Sequence, residues 1–199
     1  MTEEPPDPGS LSFDDDLPLT QAAVEFAGAR HAGQRRRADD APFLLHPIEA
    51  ASILERAGYP DQVVAAAVLH DVLEDTDAQR SDLEERFGPE VAEIVATVSD
   101  DPSISDKEAR KDDVRERVRR AGGYAQAVYA ADKISKVREL RILMARGVAD
   151  DSLAVRRARY GKALAMLEEM IPGSRIAEQL RFEIEALDAL PPEAAAEST

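Results

Sequence analysis

The segment Val68-Leu69-His70-Asp71-Val72-Leu73-Glu74-Asp75 sets four polar groups into a run otherwise built for burial. At about 100° per helical residue, His70, Glu74, Asp71 and Asp75 fall at about 0°, 40°, 100° and 140°, one contiguous face. His70 and Glu74 are i,i+4 neighbours, as are Asp71 and Asp75. Three carboxylates near a helix C-terminus repel one another and the negative end of the helix dipole. A divalent cation would offset them. A bare His-Asp pair is more often the polar end of a core helix, and two further residues weigh against that reading here. His46 directly precedes Pro47, a position that favours extended backbone and fixes a side chain at a helix start. Asp132 lies in Ala130-Ala131-Asp132-Lys133-Ile134, among apolar residues, and a buried aspartate without a partner is costly. His46, His70, Asp71 and Asp132 together offer two imidazoles and two carboxylates from three helices, with positions left for water and substrate. That donor set suits Mn2+ or Fe2+ better than Mg2+, which prefers all-oxygen sites.

Positioning such a set takes several helices, and the sequence reads as helical throughout. A first helix is expected over 20–32, a second from Pro47 to Gly58, and a third from Pro60-Asp61 onward. The third holds Val63, Val64, Ala65, Ala66, Ala67, Val68 and Leu69, is apolar nearly all round, and should be central. Ser81-Asp82-Leu83-Glu84 reads as a capping box opening a short helix that Gly88 closes, with Pro89 starting the next. Lys107–Arg120 is a charged helix, Tyr124–Arg146 a long one, and 152–170 and 174–189 are amphipathic. The fold class is therefore all-α, about eight to ten helices in a single domain.

The 199 residues fit one domain. Residues 1–17, acidic and proline-rich, read as a disordered lead-in, 18–190 as the domain, and 191–199 as a disordered tail. There is no cysteine, which removes disulfides, thiolate nucleophiles and Cys-based metal sites. No apolar run approaches the roughly 18 residues of a membrane helix, and the acidic N-terminus is the opposite of a signal peptide. A cytoplasmic protein with no membrane partner is expected. The formal net charge of −15 argues against a nucleic-acid partner. It also repels polyphosphates, so a phosphate substrate needs a local basic cluster. Arg35-Arg36-Arg37, close to His46, is the densest cationic run, unless these arginines simply pair with Asp39 and Asp40.

The order His46 … His70-Asp71 … Asp132 resembles the HD superfamily of metal-dependent phosphohydrolases. Between Ala22 and Leu140 the chain looks closer still to the (p)ppGpp hydrolase domain of RelA/SpoT proteins and to the single-domain small alarmone hydrolases. The matching pieces are 26–36 (FAGARHAGQRR), 41–47 (APFLLHP), 69–76 (LHDVLEDT), Phe87-Gly88 and Ala131-Asp132-Lys133. Glu74-Asp75 after His70-Asp71 is the specific part. The resemblance implies an HD-type orthogonal helical domain with His46, His70, Asp71 and Asp132 as manganese ligands. It implies that Glu74 and Asp75 position and activate the attacking water, and that Arg35 and Arg36 lie against a small-molecule nucleotide. Tyr160 would match an aromatic residue near the substrate, or else packs the core. The implied reaction is metal-dependent hydrolysis of the 3′-pyrophosphate of guanosine tetraphosphate or pentaphosphate. Its alternatives are hydrolysis of another nucleotide (ppApp, NADPH or a nucleoside monophosphate) and non-catalytic nucleotide binding.

The chain departs from the family pattern at several positions. Arg37 stands where lysine is usual, Phe43 where tyrosine is usual, and Pro102 where lysine is common. Lys136 replaces an asparagine that contacts the ligand. It lies four residues after Asp132 and so shares its helix face. It either reaches the substrate, or swings to solvent or pairs with an acid such as Glu139 or Glu74. His31 reads as a packing or capping residue, or else as a phosphate contact.

Overall fold

The computed structural model describes residue 13 and residues 16–147 and 152–190; most of the expected lead-in and all of the expected tail fall outside these. Phe13, inside the stretch read as a lead-in, is buried in the core. Among the described residues the structure is all-helical, as expected, with an isolated bridge between Arg35 and Pro42 as its one β-type pairing. The helices are α1 (Pro18–Arg30), α2 (Leu45–Arg56), α3 (Asp61–Leu69), α4 (Val72–Asp75), α5 (Arg80–Val98), α6 (Lys107–Ala121), α7 (Gly123–Ala145), α8 (Ser152–Met170) and α9 (Arg175–Asp188). None of them is long and apolar enough to cross a membrane.

α3 is the hub. Every residue from Val63 to Leu69 is fully buried, and α1, α2, α5 and α7 all pack on it. At about 1.5–3 kcal/mol per buried Val or Leu side chain, this helix anchors the domain. Its first residue also holds α1. The Asp61 carboxylate accepts hydrogen bonds from the Leu19 and Thr20 backbone amides, both 2.9 Å, and from the Thr20 hydroxyl at 2.7 Å.

Three local expectations are corrected. The helix carrying the His-Asp segment does not run unbroken to Asp75: α3 stops at Leu69, and a turn through His70 and Asp71 leads into the short α4. Asp71 has ψ −5°, well away from the helical value of about −42°. On an unbroken helix neighbours diverge by about 100°, whereas here His70 and Asp71 converge. Leu45 and His46 lie inside α2, so His46 is not extended. Pro47 then sits in the first helical turn, where an amide would lack an intrahelical partner anyway. The capping box on α5 is formed by Gln79 and Asp82, not by Ser81 and Glu84, with the Gln79 amide donating to Asp82 at 2.9 Å. The division at Gly88-Pro89 is present as a kink in α5, where Gly88 takes φ 86°. That left-handed backbone favours glycine.

Candidate metal centre and cationic cleft

Three helices deliver the predicted ligand set. α2 brings His46, the turn after α3 brings His70 and Asp71, and α7 brings Asp132; all four are buried. The two Nε2 atoms stand 3.1 Å apart. Asp132 Oδ1 lies 3.3 Å from His46 Nε2 and 3.4 Å from His70 Nε2. Asp71 Oδ2 lies 3.3 and 3.1 Å from the same two nitrogens. Ligand atoms of His46, His70 and Asp132 all fall within 4.8 Å of one another, a spacing that could hold a metal ion. Asp71 is outside that tight trio although its carboxylate touches both imidazoles.

Hydrogen bonding sets which nitrogen faces inward. Ser135 Oγ donates its one proton to Glu49 Oε2 at 2.7 Å. At 2.8 Å from His46 Nδ1 it must then accept. His46 therefore carries its proton on Nδ1 and turns a lone pair inward from Nε2. His70 Nδ1 donates to the Ala67 carbonyl at 2.7 Å, so its Nε2 also points inward. The relay continues outward, since Arg138 donates to Glu49 Oε1 at 2.9 Å and to buried Glu183 of α9 at 2.7 Å. Ser135 and Glu49 were not singled out in the sequence, yet each lies three residues after a candidate ligand, on the same helix face (Asp132 and His46 respectively).

The inward carboxylate oxygens are buried and are met by charged or ring nitrogens: Asp71 Oδ2 by the two imidazoles, Asp132 Oδ1 by the imidazoles and by the Lys136 ammonium at 2.8 Å. Burial opposes ionisation of both, but His70 and Lys136 hold Asp71, and Lys133 and Lys136 hold Asp132, well below the usual carboxylate range. Burial alone would lower the pKa of His70, yet Asp71 and Asp132 outweigh it and raise it to about 10. The two carboxylates draw positive charge, supplied here by His70, Lys133 and Lys136; with the Nε2 proton of His70 released, two imidazole nitrogens and two carboxylates make a donor set that fits a divalent cation.

Beside the ligands opens a cleft of about 460 Å³. α6 supplies Lys107, Lys111 and Arg115, and α8 supplies Arg156, Arg159 and Tyr160. Arg37, Lys133 and Lys136 complete its cationic lining, against the single acid Glu139. In a chain of net charge −15 this is a concentrated reversal of sign. Lys107 and Arg156 make no hydrogen bond or ion pair among the described residues. The others are partly engaged: Lys111 with Asp100 at 2.7 Å, Arg159 with Glu108, and Arg115 with Asp112.

Residues 23–155 match the profile of the HD domain. The chain belongs to the HD domain family. The Drosophila melanogaster protein named guanosine-3′,5′-bis(diphosphate) 3′-pyrophosphohydrolase MESH1 is 34% identical over 122 residues, covering 60% of this chain and 68% of that protein. The Homo sapiens protein of the same name is 38% identical over 121 residues, covering 59% and 67%. A solved structure described as a metazoan ortholog of SpoT that hydrolyses ppGpp superimposes with a TM-score of 0.77 at 26% identity. The match covers 90% of this chain and 99% of that one.

Within this HD domain Glu74 and Asp75 end α4 at the edge of the ligand cluster. Glu74 accepts from the Asp100 amide at 2.8 Å and stands 4.0 Å from Lys111. Burial raises its pKa, the charge of Asp71 adds to the rise, and Lys111 opposes it. Asp75 is raised by burial and by Asp71 in the same way. Such carboxylates are stronger bases than ordinary ones.

The arginine run is divided. Arg37 lines the cleft. Arg36 forks onto Asp39 at 2.7 and 3.1 Å and borders a different groove, with Glu49 and Arg138. Arg35 donates to the Asp40 carbonyl at 2.8 Å. Arg36 therefore pairs locally with Asp39 and Arg35 bonds the Asp40 backbone, while the cleft draws its cations from α6, α7 and α8 together with Arg37. Tyr160 packs in the core, 7% exposed, and also lines the cleft. His31 is buried against Phe43, ring centroids 4.8 Å apart, and its Nδ1 bonds Gln34 at 2.8 Å. Gln34 in turn donates to the Asp75 carbonyl at 2.8 Å. His31 is thus a packing residue that also braces α4.

Proposed function

We propose that this chain hydrolyses the 3′-pyrophosphate of guanosine tetraphosphate and pentaphosphate, using one divalent metal. The observation that carries the reading is the convergence of His46, His70, Asp71 and Asp132 beside a cationic cleft in an acidic protein. The activity named for the MESH1 relatives supports the same substrate. We take residues 18–190 as the hydrolase domain and place it in the cytoplasm, where a nucleotide substrate is met.

His46 Nε2, His70 Nε2 and carboxylate oxygens of Asp71 and Asp132 would hold the ion, and Mn2+ suits this donor set. Such an ion, when bound, lowers the pKa of water and polarises a phosphoryl oxygen. Glu74 and Asp75 orient the attacking water and take its proton, which their raised basicity favours. The water oxygen bonds to the phosphorus next to the ribose, and the bond from that phosphorus to the 3′ oxygen breaks. Pyrophosphate leaves, and the 3′ oxygen takes up a proton, so the tetraphosphate yields GDP. Arg37, Lys107 and Arg156 neutralise the remaining phosphates. Arginine does this with paired donors and lysine as a point charge.

The Ser135–Glu49 relay gives a separate expectation. Ser135→Ala and Glu49→Gln should each weaken Mn2+ binding about 10–100-fold, the usual consequence of losing the partner that orients a ligand imidazole. Calorimetric titration of chelator-stripped protein measures this. Wild-type affinity in both variants would show that the relay does not set His46.

Purified protein with Mn2+, offered ppGpp, pppGpp, ppApp, NADPH and GMP side by side, tests the function. The guanine alarmones should give the highest kcat/KM. Turnover confined to NADPH or GMP would replace the substrate and keep the reaction class. Turnover of nothing by metal-loaded protein would favour a nucleotide-binding module.

A further inference from the structure

Lys136 Nζ lies 2.8 Å from Asp132 Oδ1 and 3.7 Å from Asp71 Oδ1. Asp132 Oδ1 is the same oxygen that faces both inward imidazole nitrogens, so it is an atom on which an ion would sit. Lys133 meets the other oxygen, Asp132 Oδ2. It is also pinned over the Tyr129 ring, 4.3 Å from the centroid, with its side chain only 14% exposed. Lys136 is freer: its side chain is 31% exposed, and it lines the cleft. Its four-carbon stem can carry the ammonium away from the carboxylates without backbone movement. An ammonium and a divalent ion on one carboxylate oxygen repel each other strongly at such distances, so the two occupancies exclude one another.

We propose that Lys136 is an internal counter-ion that competes with the divalent metal for Asp132 and Asp71. It neutralises the buried carboxylates in the metal-free protein, and metal binding displaces it into the cleft toward the substrate phosphates. The proposal rests on the metal-site reading above. Its consequence is an exchange: the metal-free fold is stabilised, metal affinity is reduced, and the cleft gains a mobile cation only once the ion is in place. Lys133, tied to the outer oxygen, orients the carboxylate and does not compete.

Mn2+ titration of chelator-stripped wild type, Lys136→Gln, Lys136→Met and Lys133→Gln tests this, with thermal unfolding in chelator run in parallel. Both Lys136 variants should bind Mn2+ about tenfold more tightly than wild type, the factor that loss of ~1.4 kcal/mol of competition gives. Both should unfold at lower temperature in chelator and gain more on metal addition. Lys133→Gln removes an equal charge while leaving Asp132 Oδ1 covered, so its affinity should change less. If a stripped variant unfolds, transfer of Mn2+ from loaded protein to a competing chelator gives the same comparison. Unchanged or weaker binding in both Lys136 variants overturns the proposal. Equal tightening in Lys133→Gln also overturns it, since the effect would then be one of overall charge. Failure of wild type itself to bind Mn2+ would remove the metal-site reading, and this proposal with it; binding by wild type with unaltered variants removes this proposal alone.

Discussion

His70→Ala and Asp132→Ala should each leave the purified protein without divalent metal and bring ppGpp hydrolysis to background. Each substitution deletes a member of the proposed ligand set: His70 Nε2 faces His46, Asp71 and Asp132, and Asp132 Oδ1 faces both imidazoles. The loss should be large because the reaction depends on water activation, and a bound ion can move a water pKa from about 15.7 toward about 7. Folding separates loss of the site from loss of the protein. Asp132→Ala takes the anionic partner from Lys133, Lys136 and His70, and His70→Ala takes a positive partner from Asp71 and Asp132, so both metal-free forms should unfold at lower temperature than wild type. Elemental analysis with circular dichroism on both variants measures the effect. Full metal content in either one removes that residue from the ligand set.

Glu74→Gln and Asp75→Asn should keep the metal and lose about 10²–10⁴-fold in kcat, the usual contribution of a positioned acid–base group. Both substitutions preserve shape and hydrogen-bonding reach while abolishing basicity. Both residues sit outside the close ligand cluster, so metal content should match wild type. The two should not be equal. Glu74 is held by the Asp100 amide and approached by Lys111, whereas for Asp75 the bond described is to its backbone carbonyl, from Gln34. Glu74→Gln therefore also perturbs the loop after α5, and KM should respond to it more than to Asp75→Asn. Near wild-type kcat in either variant, measured with saturating Mn2+ on the best substrate, would remove that residue from the proton transfer.

The ligand set was legible because its residues break an apolar pattern. Seven consecutive apolar positions before His70 announce a central helix, and polar groups attached to such a helix demand a cause. Asp132 announces itself likewise by its apolar flanks. Backbone detail was less legible. The turn at His70-Asp71 interrupts a run that continues the helical pattern, so no local pattern encodes it. Pro47 alone does not say whether the helix begins before or after His46. Gln79 took the cap expected at Ser81 because Asp82, three residues on, can answer its amide.

The basic cleft was the least visible part. Most of its cations come from α6 and α8, far apart in sequence, and each helix also carries enough acid to look like an ordinary solvated surface. A run of three adjacent arginines draws the eye, but Asp39 and Asp40 stand within reach of the first two, and local pairing wins over a distant site. Lys136 could be placed on the ligand face from its spacing to Asp132. That it rests on Asp132 Oδ1, the oxygen facing both imidazoles, depends on the side-chain packing of the folded chain.

The most direct measurement of the central claim is product identity from ppGpp under metal control. Chelator-stripped protein, incubated with ppGpp before and after one equivalent of Mn2+, should be inactive in the first state. In the second it should release GDP and pyrophosphate in equal amounts. Turnover that does not depend on the metal, release of orthophosphate in place of pyrophosphate, or no products from metal-loaded protein would contradict the account.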